Sequence, residues 1–317
     1  MRARPAAVFA LLAGSSLLTA QSPTIRSRAD FVQVDVVALD DAGSPVAGLG
    51  KSDFELRVGG RAVTIQTFAG VTSASAGRLM VLVLDDLTVD PTNISRAKEI
   101  ARGFVSKMGP EDELAVIGFD GVKSANHDGF WSKSTASAKT TTDRRALLER
   151  IDQVRYNGPV LNPYHIGEFA LDTIGSLASQ LGAVQGRRKS IVCIGSDGLF
   201  DLREPGPGPA TKLRPEWMDA VKAAAAANVS VYVIDPFGLR NEADSRATGF
   251  ARETGGQAFV NNFFERNVDQ IWRESGSYYL LGFDAANAGN GSSARPIDVR
   301  TARRGIEIKA RRSVSLP

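Results

Sequence analysis

The stretch Arg78–Asp90, RLMVLVLDDLTVD, limits what this chain can fold into more than any other part of it. Leu79 to Leu84 are apolar without a break, and two adjacent carboxylates, Asp85 and Asp86, follow at once. Such a run, held between a basic residue and an acidic turn, predicts a parallel strand buried on both faces. Thr88 and Asp90 come next, and Pro91 opens a predicted helix. In an open α/β sheet the ligand crevice lies at the carboxyl ends of the strands. The turn after Leu84 is therefore where a cation, a substrate or a partner is to be sought.

Strand and helix patterns alternate downstream of it. Apolar positions at helical spacing predict a helix over Thr92–Lys107, closed by Gly109-Pro110. Leu114–Phe119 reads as a second strand. Gly121–Thr142 is polar, with Phe130 and Trp131 as anchors for a hairpin or lid. Asp143 is placed to cap a helix over Arg144–Val154. A helix over Pro163–Leu181 and a strand over Lys189–Ile194 follow, the strand ending in Gly195-Ser196-Asp197-Gly198. Beyond a proline-rich loop at Leu202–Pro215 come a helix (Pro215–Ala227), a strand (Val229–Ile234), a helix (Asn241–Thr254), a short strand (Gln257–Val260) and a helix (Glu265–Ser275). This order predicts a doubly wound, mostly parallel sheet with helices on both faces.

The two ends of the chain read differently. Val32, Val34 and Val36 alternate with Gln33 and Asp35, as in a half-buried strand. Phe54–Val58 and Ala62–Phe68 flank Gly59-Gly60, a two-residue hairpin signature. Val71–Gly77 reads as a linker of small residues. Near the C-terminus Tyr278–Phe283 is a strand, while Pro296–Thr301 and Gly305–Ala310 read as paired β segments. Neither end has enough strands to stand alone, so the two are expected to share one small antiparallel module.

The chain opens MRARPAAVFALLAGSSLLTAQ, two arginines before an apolar stretch closed by Thr19-Ala20. That layout predicts a secretory signal cleaved after Ala20, with a retained anchor as the competing reading. No other stretch is long and apolar enough to span a membrane. The expected location is secreted or periplasmic. Net charge is +3 and falls to +1 without Arg2 and Arg4, so the high isoelectric point is no argument for nucleic acid. Residues 294–317 hold seven basic residues against two acidic ones, but no aromatics are interleaved for base stacking. A solvated strand face is the simpler reading. The single cysteine, Cys193, lies inside an apolar run and is read as a buried hydrophobe.

The order strand–Asp, helix, strand, strand–Asp-Gly, helix, strand resembles a von Willebrand factor A-type domain over residues 78–276. The particular likeness is to the VWFA-related proteins described from Acidobacteria. It is carried by VQVDVVALDDAGSPVAGLGKSDFEL at Val32–Leu56, RLMVLVLDD at Arg78–Asp86, RRKSIVCIGSDGLFD at Arg187–Asp201 and YYLLGF at Tyr278–Phe283. The organisation this implies is a signal peptide at 1–20, a β segment at 30–71, an A-like domain at 72–276 and a β tail at 277–317 packed on the first segment.

Metal-binding A domains use a D-x-S-x-S turn, a Thr from a second loop and an Asp from a third. Here Asp85 takes the first position and Asp197 the last, but the two serine positions are Leu87 and Val89. The loop NGPVLNPYHI at Asn157–Ile166 holds no Thr. A rearranged shell of Asp85, Asp86, Thr88 and Asp197 is the remaining candidate for a weakly held Mg²⁺ or other divalent cation, which wants about six oxygens. In the competing reading Asp85 and Asp197 bond loop amides and cap helices. With no cofactor otherwise implied, the expected function is a non-enzymatic interaction or adhesion module with an unknown protein partner. Its candidate contact residues are Asp85, Asp86, Thr88, Asn162, Tyr164 and Asp197.

The enzyme alternative is a metal-dependent, phosphohydrolase-like activity using Asp85, Asp86 and Asp197. The haloacid-dehalogenase motif D-x-D-x-T fails at Leu87, and a nucleophile elbow fails at Ile194. No phosphate-cradling glycine loop follows any strand.

Overall fold

The computed structural model describes residues 31–72, 77–119, 137–156, 163–184, 186–200, 215–239, 245–288 and 295–314. The leader, the polar stretch 120–136, the loop 157–162 with Asn162 and the proline-rich loop to residue 214 lie outside these. In chain order the strands are β1 (Phe31–Leu39), β2 (Phe54–Val58), β3 (Arg61–Val63), β4 (Thr67–Thr72), β5 (Arg78–Leu84), β6 (Glu113–Gly118), β7 (Arg188–Ile194), β8 (Val229–Ile234), β9 (Ala258–Phe259), β10 (Ser277–Asp284), β11 (Arg295–Thr301), β12 (Glu307–Ala310) and β13 (Ser313–Val314). The helices are α1 (Pro91–Lys107), α2 (Arg144–Gln153), α3 (Pro163–Gly182), α4 (Pro215–Ala227), α5 (Arg246–Glu253) and α6 (Phe264–Gly276).

A five-stranded parallel sheet, ordered β6-β5-β7-β8-β9, forms the centre. Strand β5 shows why the uninterrupted apolar run was informative. Leu79, Val81 and Val83 enter one core with α3, α4 and α5, while Met80, Leu82 and Leu84 enter the other with α1, α2 and α6. A strand with a helix layer on each face is therefore apolar on both sides. The doubly wound α/β architecture is thus present. Because β6 and β7 flank β5 on opposite sides, the chain reverses direction across the sheet between β5 and β7. That is the switch point at which such sheets open their crevice.

The chain ends form the second part, a sandwich of two antiparallel sheets ordered β12-β1-β10-β4 and β13-β11-β2-β3. Val32, Val34 and Val36 of β1 pack with Leu56, Val58, Leu281, Phe283, Ile297 and Val299 in its core. The N- and C-terminal segments therefore do share one module. Two readings of the local pattern are corrected. The strand after Gly59-Gly60 stops at Val63, and Thr67–Thr72 is a separate strand that crosses to the other sheet and pairs with β10. The segments predicted to pair with each other also part company: β11 pairs with β2 and β13, while β12 crosses over to pair with β1. Alternation marks a half-buried strand, but it does not say which sheet of a sandwich the strand joins.

The sandwich docks on the amino-terminal edge of the parallel sheet. α6 runs into β10 with no intervening residue. Asp35 of β1 faces Arg188 at the start of β7, with a closest N–O distance of 3.8 Å, and accepts a hydrogen bond from Asn228 just before β8. Arg311, from the basic tail, is buried and donates to the carbonyls of Gln33 (2.7 Å) and Ala225. The opposite, carboxyl edge of the parallel sheet is left to the loops.

Candidate functional site

The carboxyl edge begins with Asp85, a wholly buried side chain one residue past β5. Its Oδ1 accepts from Leu87 N (3.1 Å) and Thr88 N (2.8 Å). Its Oδ2 accepts from the Thr88 hydroxyl and, across the switch point, from Ser196 N (3.0 Å). Gly195 permits that crossing, since a Cβ there would lie 2.5 Å from the Asp85 Cβ and 3.1 Å from its Oδ2. Burial pushes the Asp85 carboxyl above its ordinary value, against the lowering effect of these four donors.

Of the other predicted residues Thr88 stays with Asp85, while Asp86 and Asp197 bond elsewhere. Asp86, nearly as buried, lies on the β6 side of β5, where its Oδ1 accepts from Phe119 N at 2.8 Å. Asp90 caps α1 by accepting from Thr92 N (2.9 Å) and Asn93 N (3.0 Å). Asp197 reaches the start of α5, its Oδ1 accepting from the Ser245 hydroxyl (2.7 Å) and Ala247 N (2.9 Å). Tyr164 falls in the first turn of α3. Asn162 is outside the described residues.

This donor set does not fit a hard divalent cation. A carboxylate has about four lone-pair directions, and Asp85 already receives four donors. Thr88 donates to Asp85, but Asp86 and Asp197 face the β6 end and the start of α5, so the oxygens of the rearranged shell do not converge. Among the described residues no three His, Cys, Asp or Glu side chains are grouped closely enough to hold a metal. What the arrangement does chemically is tie loops to strand ends: β5 to the β7 loop, β5 to the β6 end, and the β7 loop to α5.

Reading the sequence for carboxylates passed over other residues at this edge. Asp235, wholly buried after β8, accepts from Phe237 N at 2.9 Å and so repeats the strand-end pattern. Leu239 in the same loop is 77% exposed, and Phe263 in the loop after β9 is 59% exposed. The two loops touch, because a Cβ on Gly238 would overlap the Asn262 side chain. Asn261 Oδ1 holds the second loop by accepting from Phe263 N and Asn267 Nδ2, both at 2.9 Å. The Arg266 guanidinium lies 5.0 Å from the Phe263 ring. Only one other large apolar side chain, Leu148, is exposed among the described residues. The signal was available in DPFGLR and NNFFER, where a large apolar residue sits inside turn chemistry. Cys193, beneath this edge, is fully buried, and burial together with Asp85 and Asp235 pushes its thiol well up, away from the nucleophilic form.

No protein-family model matches the sequence, and no curated protein matches it. Among solved structures the chain is similar to an aerotolerance-related membrane protein from Bacteroides fragilis, at 15% identity over 62% of this chain and 98% of that one, with a TM-score of 0.43. It is also similar to BatB from Bacteroides thetaiotaomicron, at 17% identity over 62% and 98%, with a TM-score of 0.40. The pilus adhesin SpaC from Lactobacillus rhamnosus GG is similar at 10% identity over 89% of this chain and 42% of that one, with a TM-score of 0.41.

Proposed function

We propose that the protein is an exported, non-enzymatic interaction or adhesion module that binds a protein partner through the loops at the carboxyl edge of its parallel sheet. We also infer that it belongs with the Acidobacterial VWFA-related proteins and carries a degenerate metal site. The observation that carries the functional reading is the exposure of Leu239 and Phe263 on loops that touch at Gly238 and Asn262. Two large apolar side chains held out to solvent on touching loops lack any role in the core, and exposed apolar surface grouped at one edge marks a binding site. Asp85, Asp86 and Asp197 bond at three different places along the edge, which supports the same reading because hydrolysis needs its carboxylates converged on one substrate.

The test is capture of a partner by the purified protein, compared with a Leu239→Asp/Phe263→Asp variant. The expected result is a bound species that the variant loses while its circular dichroism is unchanged; retention of the same species by the variant overturns the reading. Calorimetric titration with Mg²⁺, Mn²⁺ and Ca²⁺ tests the hydrolase alternative. Saturable binding abolished by both Asp85→Ala and Asp197→Ala would restore that alternative, and a flat isotherm removes it.

A further inference from the structure

The edges of the three sheets are not equally protected. An open edge presents unpaired N–H and C=O groups, and folded proteins blunt such edges with charge, brevity or cover. β12 carries Glu307 and Lys309. β3 is three residues long and begins with Arg61, and β13 is two residues long and follows Arg311-Arg312. β9 also has only two residues. On the outer side of β6, Leu114 exchanges backbone hydrogen bonds with Thr141 at 2.8 and 3.0 Å.

Among the described residues β4 has none of these devices. It is six residues long, TFAGVT, and each residue opposes one residue of β10 with no bulge between them. No strand lies on its outer side among the described residues. The whole sequence from Ala62 to Gly77 holds no charged side chain. Thr67, Ala69 and Gly70 are exposed, while Phe68 stacks on Tyr279 with ring centroids 5.7 Å apart, so the strand is held flat against its sheet.

We propose that β4 is a self-association edge, pairing antiparallel with β4 of a second copy across a two-fold axis. The occupant follows from the strand's own composition. A two-fold normal to the sheet sets residues of the same face opposite one another. Centred on the exposed Ala69, it sets this small residue against its own copy where the two strands approach most closely. An uncharged strand meets its own image without like-charge repulsion, whereas it offers a foreign charged segment nothing to read. The product is one continuous sheet, ordered β12-β1-β10-β4 in each copy and joined β4 to β4. This surface is distinct from the loop edge of Leu239 and Phe263.

Light scattering on the purified protein over a wide concentration range tests this. The wild type is expected to double its molar mass as concentration rises. Ala69→Lys, at an exposed position, is expected to stay monomeric with an unchanged circular dichroism spectrum, because the two added charges would lie directly opposite each other. Ala69→Cys is expected to form a reducible cross-linked dimer, with Cys193 buried and silent. The Leu239→Asp/Phe263→Asp variant is expected to dimerise normally, so failure here and failure of the partner-binding reading are separable. A wild type that is monomeric throughout overturns the proposal, as does a dimer that survives Ala69→Lys or that Ala69→Cys fails to cross-link.

Discussion

Two aspartates five residues apart, Asp85 and Asp90, behave oppositely because their surroundings differ. Asp85 is wholly buried, and burial raises its carboxyl despite four donors. A raised acid binds more protons folded than unfolded, so its contribution declines as pH climbs from about 3.8 through the folded value. Asp90 is only half-buried, and its hydrogen bonds from Asn93 and Thr92 lower its carboxyl. Its contribution is full above 3.8 and is lost as pH falls through the folded value. Asp85→Asn sets an amide N–H against the Ser196 or the Leu87 and Thr88 amides, leaving buried donors unpaired at a cost of about 1–3 kcal/mol. The stability gap between wild type and this variant is expected to narrow as pH rises, whereas the Asp90→Ala gap is expected to widen. Urea titrations across the acid range check both signs, and parallel curves for the two variants would contradict the assignment. At this scale the sequence is only half legible. It marks Asp85 and Asp197 as strand-end carboxylates, but whether such a group meets amides or a cation depends on loops whose paths are set by distant strands.

Elements were read as well as their patterns were local. β5, β7 and β8 each carry an apolar run buried on both faces, Leu79–Leu84, Ile191–Ile194 and Val231–Ile234, a signature that needs no knowledge of neighbours. β4 lacks alternation and charge, so its first two residues read as the end of the hairpin strand and its last two as linker; only its ladder with β10, more than two hundred residues away in sequence, makes it one strand. The same non-locality hid the partners of β11 and β12. The turn between β2 and β3 was legible because its chemistry is carried by two residues. Gly59 and Gly60 take φ of +57° and +79°, and Val58 pairs with Arg61 across them. Positive φ at both central positions is what a type I′ hairpin demands. A Cβ at Gly59 meets only the Arg295 side chain, no closer than 3.9 Å, so the penalty there is backbone strain rather than collision. Gly59→Ala is expected to cost about 1–2 kcal/mol in chemical denaturation. An unchanged midpoint would mean that the turn relaxes into another form.

At the scale of the whole molecule the question is whether the sandwich and the doubly wound sheet form one cooperative unit. The seam between them is charged as well as apolar. Asp35 meets Arg188 and Asn228; the Arg188 guanidinium lies 5.2 Å from the Tyr278 ring; and Lys309 of β12 donates to Glu274 of α6 and to Gln257, each at 2.6 Å. Burial raises the Asp35 carboxyl, against the pull of Arg188, Asn228, Arg311 and Lys189, and it pushes the Arg311 guanidinium down to about 10. Charges this deep are tolerated because each docking element brings the other's counter-charge, and removing one partner leaves the rest uncompensated. None of this could be read in advance, since Asp35 was the polar side of an alternating strand and Arg311 one of seven basic residues in a tail. Asp35→Ala is expected to destabilise the protein by about 3–5 kcal/mol, the range for an orphaned buried charge. Because α6 passes directly into β10, the loss should fall on both parts together, and a single transition should persist at a lower midpoint. Unfolding followed by tryptophan fluorescence tests this, since Trp217 and Trp272 lie in the α/β cores, with far-ultraviolet circular dichroism reporting the whole. Coincident, shifted curves support one unit latched at its seam. A variant in which the tryptophan signal keeps the wild-type midpoint while part of the dichroism melts early would show that the sandwich is a separate domain resting on the sheet.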